Sequence, residues 1–168
     1  MDTFLTIASK RDWRRYADRE ISDGVTLRIL DAGRLSGSAV NRQPWTFLVV
    51  ESDEMRERLA DVVYAPDNIR GAKLVIVLTT TRAGAFDLGR VAQNMMLAAW
   101  NEGIVSCPNG FADADRAVEA LGLTGDERPV NALSFGYPSR PRDPESRPAE
   151  EWSAEANRRP LDDVVQRI

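Results

Sequence analysis

The feature that most constrains the fold is a stretch of ten residues without charge, Val91 to Trp100. It lies inside a helix predicted from Asp87 to Glu102, which Gly103 ends. A helix that is apolar nearly all round is either central in the fold or part of an interface. With 168 residues and 43% hydrophobic content, the chain is long enough to bury a core around such a helix.

Strands and further helices are predicted on both sides of this central helix. The continuous apolar run Leu74–Leu78, inside a strand from 73 to 80, is typical of a strand covered on both faces. The other predicted strands span about 46–51, 104–107 and 130–135, and the other predicted helices about 3–9, 22–35, 53–64 and 113–121. This mixture predicts a three-layer α+β or α/β fold, with residues 1–168 in a single domain and residues 137–168 as an extended C-terminal arm.

Composition excludes several kinds of chemistry. The chain has no histidine, which excludes Ser-His-Asp and Cys-His catalysis and histidine-ligated metals. The single cysteine, Cys107, excludes an internal disulfide and a multi-cysteine zinc site, so we expect a buried structural thiol and no metal. A net charge of −4 does not favour nucleic acid, and neither a membrane helix nor a signal peptide is present, so we expect a cytoplasmic protein. Chemistry would then reside in a bound cofactor.

Two segments are candidates for binding such a cofactor. Ser36–Trp45 combines small and polar residues directly before a strand, which suits close approach of a flat polar ligand but is also usual in an ordinary loop. Lys10–Tyr16 places four cations within six positions, which suits a phosphate but also a solvated surface. Pro108-Asn109-Gly110 is predicted as a sharp turn.

Four motifs, taken in order, resemble those of the FMN-dependent nitroreductase family. They are Lys10–Tyr16, Gly37–Trp45 with its Asn-x-Gln-Pro-Trp ending, Ala92–Ala99 in the central helix, and Arg158–Leu161. The resemblance covers about residues 4 to 165. It implies an α+β, three-layer α/β/α fold around a central mixed, mainly antiparallel sheet. It also implies a homodimer that exchanges its C-terminal arms and holds two FMN molecules at the subunit interface.

The resemblance further implies which residues bind the cofactor. The matching positions are Lys10, Arg11, Asp12, Arg14, Ser38, Ala39, Asn41, Pro108, Asn109, Gly110 and Arg158. In the family the basic positions hold the phosphate and ribityl chain, and the position near the C-terminus closes over the phosphate. The loop positions reach the flavin from the other subunit. The backbone at 109–110 falls where family members offer an N–H to flavin N5. Gln43 and Trp45 are expected to support the fold.

Several residues depart from the family pattern. Asp12 replaces a common serine; it can accept a hydrogen bond from a ribityl hydroxyl or flavin N3–H, but it repels a nearby phosphate. Gly37 and Val40 replace the usual proline and small residue. The connection Thr80–Phe86 is short, whereas many family members insert a lid of tens of residues there.

The leading hypothesis is a flavin-dependent oxidoreductase. FMN would take hydride from NADH or NADPH and pass electrons to a nitroaromatic, a quinone or a similar conjugated acceptor, with no catalytic protein side chain. Two alternatives stay open: an FMN-binding protein without turnover, acting as a flavin sensor or store, and a cofactor-free dimeric scaffold in which Asp12 has abolished FMN binding. A deazaflavin in place of FMN also stays open.

Overall fold

The computed structural model of the chain describes residues 1–82 and 84–168. The chain forms two compact units, a larger one from Arg11 to Arg142 and a smaller one that combines Met1–Lys10 with Asp143–Ile168. The α-helices are α1 (Thr3–Ser9), α2 (Asp23–Arg34), α3 (Asp53–Ala60), α4 (Pro66–Arg70), α5 (Ala85–Asn101), α6 (Ala114–Leu121) and α7 (Ala149–Ala154). The strands are β1 (Thr46–Val49), β2 (Leu74–Thr80), β3 (Val105–Asn109) and β4 (Arg128–Gly136). Within the described residues, no helix has both the length and the hydropathy needed to cross a lipid bilayer.

The four strands of the larger unit form one sheet in the order β1-β2-β4-β3. All three strand pairs are antiparallel; Val77 of β2, for example, faces Leu48 of β1 on one side and Ala132 of β4 on the other. A parallel contact accompanies the sheet, an isolated bridge between Asp12 and Ser106. The expectation of a mainly antiparallel sheet is therefore confirmed.

Helices cover both faces of this sheet because β2 is apolar on both of its faces. Ile76 and Leu78 pack in a core with α2 and α5, whereas Val75 and Val77 pack in a second core with α3, α4 and α6. This division follows from the alternation of side chains along an extended strand. The three-layer α/β/α arrangement expected from the sequence is confirmed.

Helix α5 is central in the larger unit, as its uncharged sequence predicts. Met95 and Ala99 are fully buried, whereas Gln93 and Asn94 on the other side of the helix are exposed. Gly33 of α2 lets the two helices approach closely, because a Cβ there would lie 2.9 Å from Met95 Cγ. One side of α5 thus belongs to the core, and its uncharged polar side stays open in the protomer.

The predicted helix over residues 53–64 is wrong in its second half. Helix α3 ends at Ala60, and Val63 pairs with Phe111 in an antiparallel bridge. A further short helix, α4, begins at Pro66, two residues beyond the predicted end of that helix. Proline at the first helical position starts a helix readily, because its missing N–H is one that a helix leaves unbonded anyway.

The turn expected at Pro108-Asn109-Gly110 is also wrong, since β3 continues through Asn109. Pro108 lies opposite Leu133 in the pairing with β4. Strand β3 is at the edge of the sheet, where a proline without an N–H can point its nitrogen away from the neighbouring strand. Gly110 therefore follows a strand end.

The smaller unit packs α1 against α7. Asp2 caps α1 by accepting the Leu5 N–H across 2.9 Å. Arg147 lies 3.8 Å from the centre of the Trp152 ring, whose Nε1–H donates to the Pro144 carbonyl across 2.9 Å. Much of the expected arm is thus locally ordered, although every residue from 157 to 168 is exposed.

Candidate functional site

The loop Ser36–Trp45 has an unusual backbone conformation. Val40, Asn41 and Gln43 have φ angles of 52°, 54° and 48°. A positive φ is a genuine outlier for a β-branched residue such as Val40, whose side chain is moreover 84% exposed. Such strain persists only where the surroundings impose it, and it is concentrated at binding sites.

Hydrogen bonds within the loop and to α5 impose this conformation. Ser38 Oγ accepts the Gln43 N–H across 2.8 Å. The Asp87 carboxylate of α5 accepts the Ala39 N–H across 3.2 Å. Ala39, Val40 and Asn41 remain exposed beyond these anchors. The loop therefore presents a fixed and open edge.

The two ends of the loop are attached to the core of the larger unit. Asn94 of α5 donates from Nδ2 to Ser36 Oγ across 2.8 Å. Trp45 packs against the core that α2 and α5 share, in agreement with its expected structural role. The loop edge is thus held at both ends.

The basic segment Arg11–Tyr16 lies against the opposite end of the strand order. Its Trp13 N–H donates to the Ser106 carbonyl of β3 across 3.0 Å, beside the parallel bridge of Asp12. Because the loop leads into β1 and the basic segment adjoins β3, three interstrand spacings, about 14 Å, separate the two sheet edges in one protomer.

The cations expected to bind phosphate fall into both units. Arg14 is exposed in the larger unit, and no described carboxylate lies within ion-pair distance of it. Arg11 is half-buried. In the smaller unit, Lys10 follows α1, and Arg158 is exposed with Nη1 donating to the Ala156 carbonyl across 2.8 Å.

A buried polar network supports the end of β3. Asn109 Nδ2 lies 3.0 Å from three acceptors, the carbonyls of Cys107 and Ala132 and Ser134 Oγ, which share its two hydrogens. Asn109 Oδ1 accepts from Asn68 Nδ2 across 2.8 Å. The side chain of Asn109 is therefore committed to holding the strand end rather than to a ligand.

The backbone amides of Asn109 and Gly110 differ in availability. The Asn109 N–H donates to Asn131 Oδ1 across 3.1 Å, which removes it as a donor to flavin N5. The Gly110 carbonyl accepts from the Tyr64 N–H, but no described group accepts a hydrogen bond from the Gly110 amide. Of the two predicted amides, only that of Gly110 is left to meet a ligand.

Tyr16 and Cys107 border the same network. Burial raises the pKa of Tyr16 above its ordinary range, so its hydroxyl stays neutral while it shares a hydrogen bond with Ser134 Oγ. Cys107 is 2% exposed, and its Sγ lies 3.7 Å from Asn68 Nδ2. Its burial agrees with the expected structural thiol.

Comparison with known proteins identifies the family. Residues 7–77 and 64–137 match the model of the Nitroreductase family. The chain belongs to the nitroreductase family. A relative from Archaeoglobus fulgidus, provisionally named NADH dehydrogenase/NAD(P)H nitroreductase, is 30% identical over 82% of this chain and 86% of its own length. One from Methanothermobacter thermautotrophicus with the same provisional name is 28% identical over 83% and 78%.

A solved structure extends this relationship to the whole chain. A provisionally named nitroreductase from Desulfovibrio desulfuricans, in complex with FMN, is 27% identical, has a TM-score of 0.84, and matches 100% of this chain and 98% of its own. This nitroreductase-family chain therefore has the family's fold, as its motifs imply.

Several residues of the site are not evident from the sequence. Asp87 and Asn94 anchor the loop from α5, and Asn68 and Asn131 secure Asn109. Asn94 is one of the few polar side chains in the uncharged stretch of α5, and a polar side chain there is a sign in the sequence of a specific contact. The other three lie far along the chain from their partners, so no local pattern marks them.

Proposed function

We propose that this nitroreductase-family protein is an FMN-dependent oxidoreductase. It takes hydride from NADH or NADPH and delivers electrons to a nitroaromatic, a quinone or a similar conjugated acceptor. The observation that carries the proposal is the family match over residues 7–137, supported by the FMN complex of the Desulfovibrio desulfuricans relative. NADH and NADPH are abundant in the cytoplasm, where we expect the protein to act.

The residues present fit FMN at its phosphate end. Lys10, Arg11, Arg14 and Arg158 are the proposed ligands of the phosphate and ribityl chain. Arg14 supports this role because it is exposed and no described carboxylate neutralises it. A guanidinium group in that state is ready for charge-assisted hydrogen bonds to a dianion. The Asp12 carboxylate suits a ribityl hydroxyl or flavin N3–H rather than the phosphate.

The residues also fit a flat ring at the strand end. When bound, FMN supplies the atom that accepts hydride and later returns electrons to the acceptor. We assign to the Gly110 amide the hydrogen bond to that atom, with Pro108 and Asn109 shaping the backbone before it. A donor there stabilises the negative charge that develops on reduction. No protein acid or base is required, in keeping with the absence of histidine.

We propose that a second copy of the chain completes the site. Ser38, Ala39 and Asn41 lie on the loop that leads into β1, whereas the basic segment lies beside β3. These two edges of the sheet are about 14 Å apart. A second protomer brings its loop to the first protomer's basic segment. Exposed apolar side chains on α2, Leu27 at 64% and adjoining Leu35 at 66%, supply surface for such a homodimer. We propose that the C-terminal arms are exchanged in it.

The first experiment is the visible spectrum of the purified protein before and after incubation with FMN. A flavin spectrum that bleaches on anaerobic addition of NADH or NADPH supports the oxidoreductase. A spectrum that persists, reduced no faster than free FMN, supports the flavin sensor or store instead. A protein that stays colourless after incubation contradicts both.

The basic segment gives a matched pair of variants. Arg14→Ala should weaken FMN binding at least tenfold, as loss of a charge-assisted hydrogen bond does. Arg116→Ala on α6 removes the same charge from an exposed side chain elsewhere and should leave FMN affinity unchanged. The quenching of FMN fluorescence on binding measures the FMN affinity of both variants. Equal affinities for the two variants would place the phosphate elsewhere.

Oligomeric state gives an independent check. The wild-type chain should have the mass of a dimer by light scattering. Leu27→Glu places a carboxylate on the exposed apolar surface of α2 and should shift the mass toward the monomer. FMN should be lost with the dimer if the partner's loop completes the site. A monomer that retains FMN would contradict the shared site.

A further inference from the structure

The larger unit contains an open cleft between the end of the loop Ser36–Trp45 and the connection that follows β2. Its volume is about 370 Å³. Its walls include two arginines, two threonines and an apolar pair, namely Arg42, Arg82, Thr46, Thr81, Pro44 and Trp45. None of the proposed FMN ligands is among them, so the cleft is not part of the cofactor site assigned above.

The pairing of β1 with β2 brings the two sides of the cleft together. Thr46, the first residue of β1, lies opposite Thr79 near the end of β2. The connection then passes against the loop, because a Cβ at Gly84 would lie 3.8 Å from Pro44 Cγ. The cleft is therefore a product of the sheet register and of the short connection after β2.

Backbone hydrogen bonds fix the position from which each arginine extends. The Arg42 N–H donates to the Ala39 carbonyl across 3.2 Å. The Arg82 N–H donates to Thr80 Oγ1 across 3.2 Å. Both side chains are exposed. Two cations thus face one cavity from fixed backbone on opposite sides.

Neither arginine of the cleft has an anionic partner. In the part of the chain that the structure describes, no carboxylate lies within ion-pair distance of Arg42 or Arg82, and neither guanidinium donates a hydrogen bond. By contrast, Arg28 pairs with Glu102 at 2.9 Å. No acidic residue is among the described residues that line the cleft. A cavity with charge of one sign attracts a ligand of the other sign.

We propose that Arg42 and Arg82 bind a carboxylate group on the electron acceptor, an inference that rests on the proposed function. Guanidinium groups present paired N–H donors that match a carboxylate, and the Thr81 hydroxyl adds a donor. The half-buried Trp45 offers apolar surface to a conjugated ring. Arg42 directly follows Asn41, which we assign to the flavin, so the cleft adjoins the proposed ring site. The preferred acceptor is then an acidic conjugated compound.

A matched pair of acceptors tests this preference. Para-nitrobenzoate and para-nitrobenzamide share the nitroaromatic ring and differ in the charge of one substituent. The measured quantity is the ratio of kcat/KM for the acid to kcat/KM for the amide, which cancels changes in flavin content. Arg42→Ala and Arg82→Ala are the test variants, and Arg116→Ala is the charge-matched control on α6.

We expect this ratio to fall about threefold to tenfold in each test variant and to keep its wild-type value in the control, since the cleft is open and solvent weakens the ion pair. A ratio that is the same in test variants and control overturns the inference. A lower kcat/KM for NADPH relative to NADH, with the acceptor ratio unchanged, would assign the cleft to the dinucleotide and also overturn it.

Binding without turnover separates this inference from the proposed function. If the chain holds no FMN, the proposed function fails, yet para-nitrobenzoate should still bind more tightly than para-nitrobenzamide in isothermal titration calorimetry. Added salt should weaken this preference, and Arg42→Ala should remove it. Arg42→Lys should keep part of it, because lysine retains the charge without the paired donors. Equal affinity of the wild-type chain for the two compounds overturns the inference, whatever the result with flavin.

Discussion

The hydroxyl of Tyr16 lies 2.8 Å from Ser134 Oγ, and this contact joins the basic segment to the centre of the sheet. Ser134 is fully buried in β4 and also donates to the Cys107 carbonyl across 3.1 Å. The same Oγ accepts from Asn109 Nδ2. The position of the basic segment and that of the β3 end are therefore coupled through one serine hydroxyl.

Removing the Tyr16 hydroxyl should cost stability at neutral pH. Tyr16→Phe loses one buried hydrogen bond, worth about 1 kcal/mol, while Ser134 keeps its other partners. Urea unfolding measures the change. Tyr64→Phe is the control, because Tyr64 is 76% exposed and should change little. A Tyr16→Phe variant as stable as the control would mean that the contact contributes nothing.

The same residue should govern stability at alkaline pH. Burial raises the pKa of Tyr16, so above the unfolded value of about 10 the unfolded chain loses a proton that the folded chain keeps. The stabilisation is complete below that pH and declines by up to about 1.4 kcal/mol per pH unit above it. Tm measured from pH 8 to 11 should fall less steeply in Tyr16→Phe than in the wild type.

Gly136→Ala should destabilise the larger unit. A Cβ at Gly136 would lie 2.7 Å from Tyr16 Cδ1 and 2.8 Å from Tyr16 Cβ, so the ring or the strand must shift to accommodate it. Overpacking of this kind costs about 1–3 kcal/mol. Gly24→Ala is a matched control, since nothing lies within 4 Å of a Cβ there. Thermal unfolding should show a lower Tm for the first variant only.

Asn109→Ala should be the most damaging of these changes. It removes the donor or acceptor of four buried bonds, including that from Asn68, and leaves buried groups unsatisfied. The expected loss is about 3 kcal/mol or more in the free energy of unfolding. Gln93→Ala, on the exposed side of α5, should stay within about 0.5 kcal/mol of the wild type.

Val40→Asn should raise stability. Asparagine tolerates the left-handed conformation at residue 40, so the change relieves about 1 kcal/mol of strain. Val49→Asn is the contrasting variant, because Val49 lies in β1, where asparagine is unfavourable. If Val40→Asn is no more stable than the wild type in urea unfolding, the positive φ carries no strain.

The sequence by itself determined the layers of the fold. The apolar run of β2 required cover on both faces, and the uncharged residues of α5 required a central helix, because burial of apolar surface is a property of local composition and period. The order of motifs likewise indicated the nitroreductase family. Element ends were less certain, since Pro66 began a helix and Pro108 lay within an edge strand.

Only the tertiary structure decided how the site is built. Three contacts join residues from separate parts of the chain. Asn131 accepts a hydrogen bond from the Asn109 amide, Asp87 accepts one from the loop, and Arg140 lies over the Trp13 ring. Such pairs depend on strand order and helix packing rather than on local pattern. The physical reason is that hydrogen bonds and charges act over a few ångströms in space, whatever the separation in sequence.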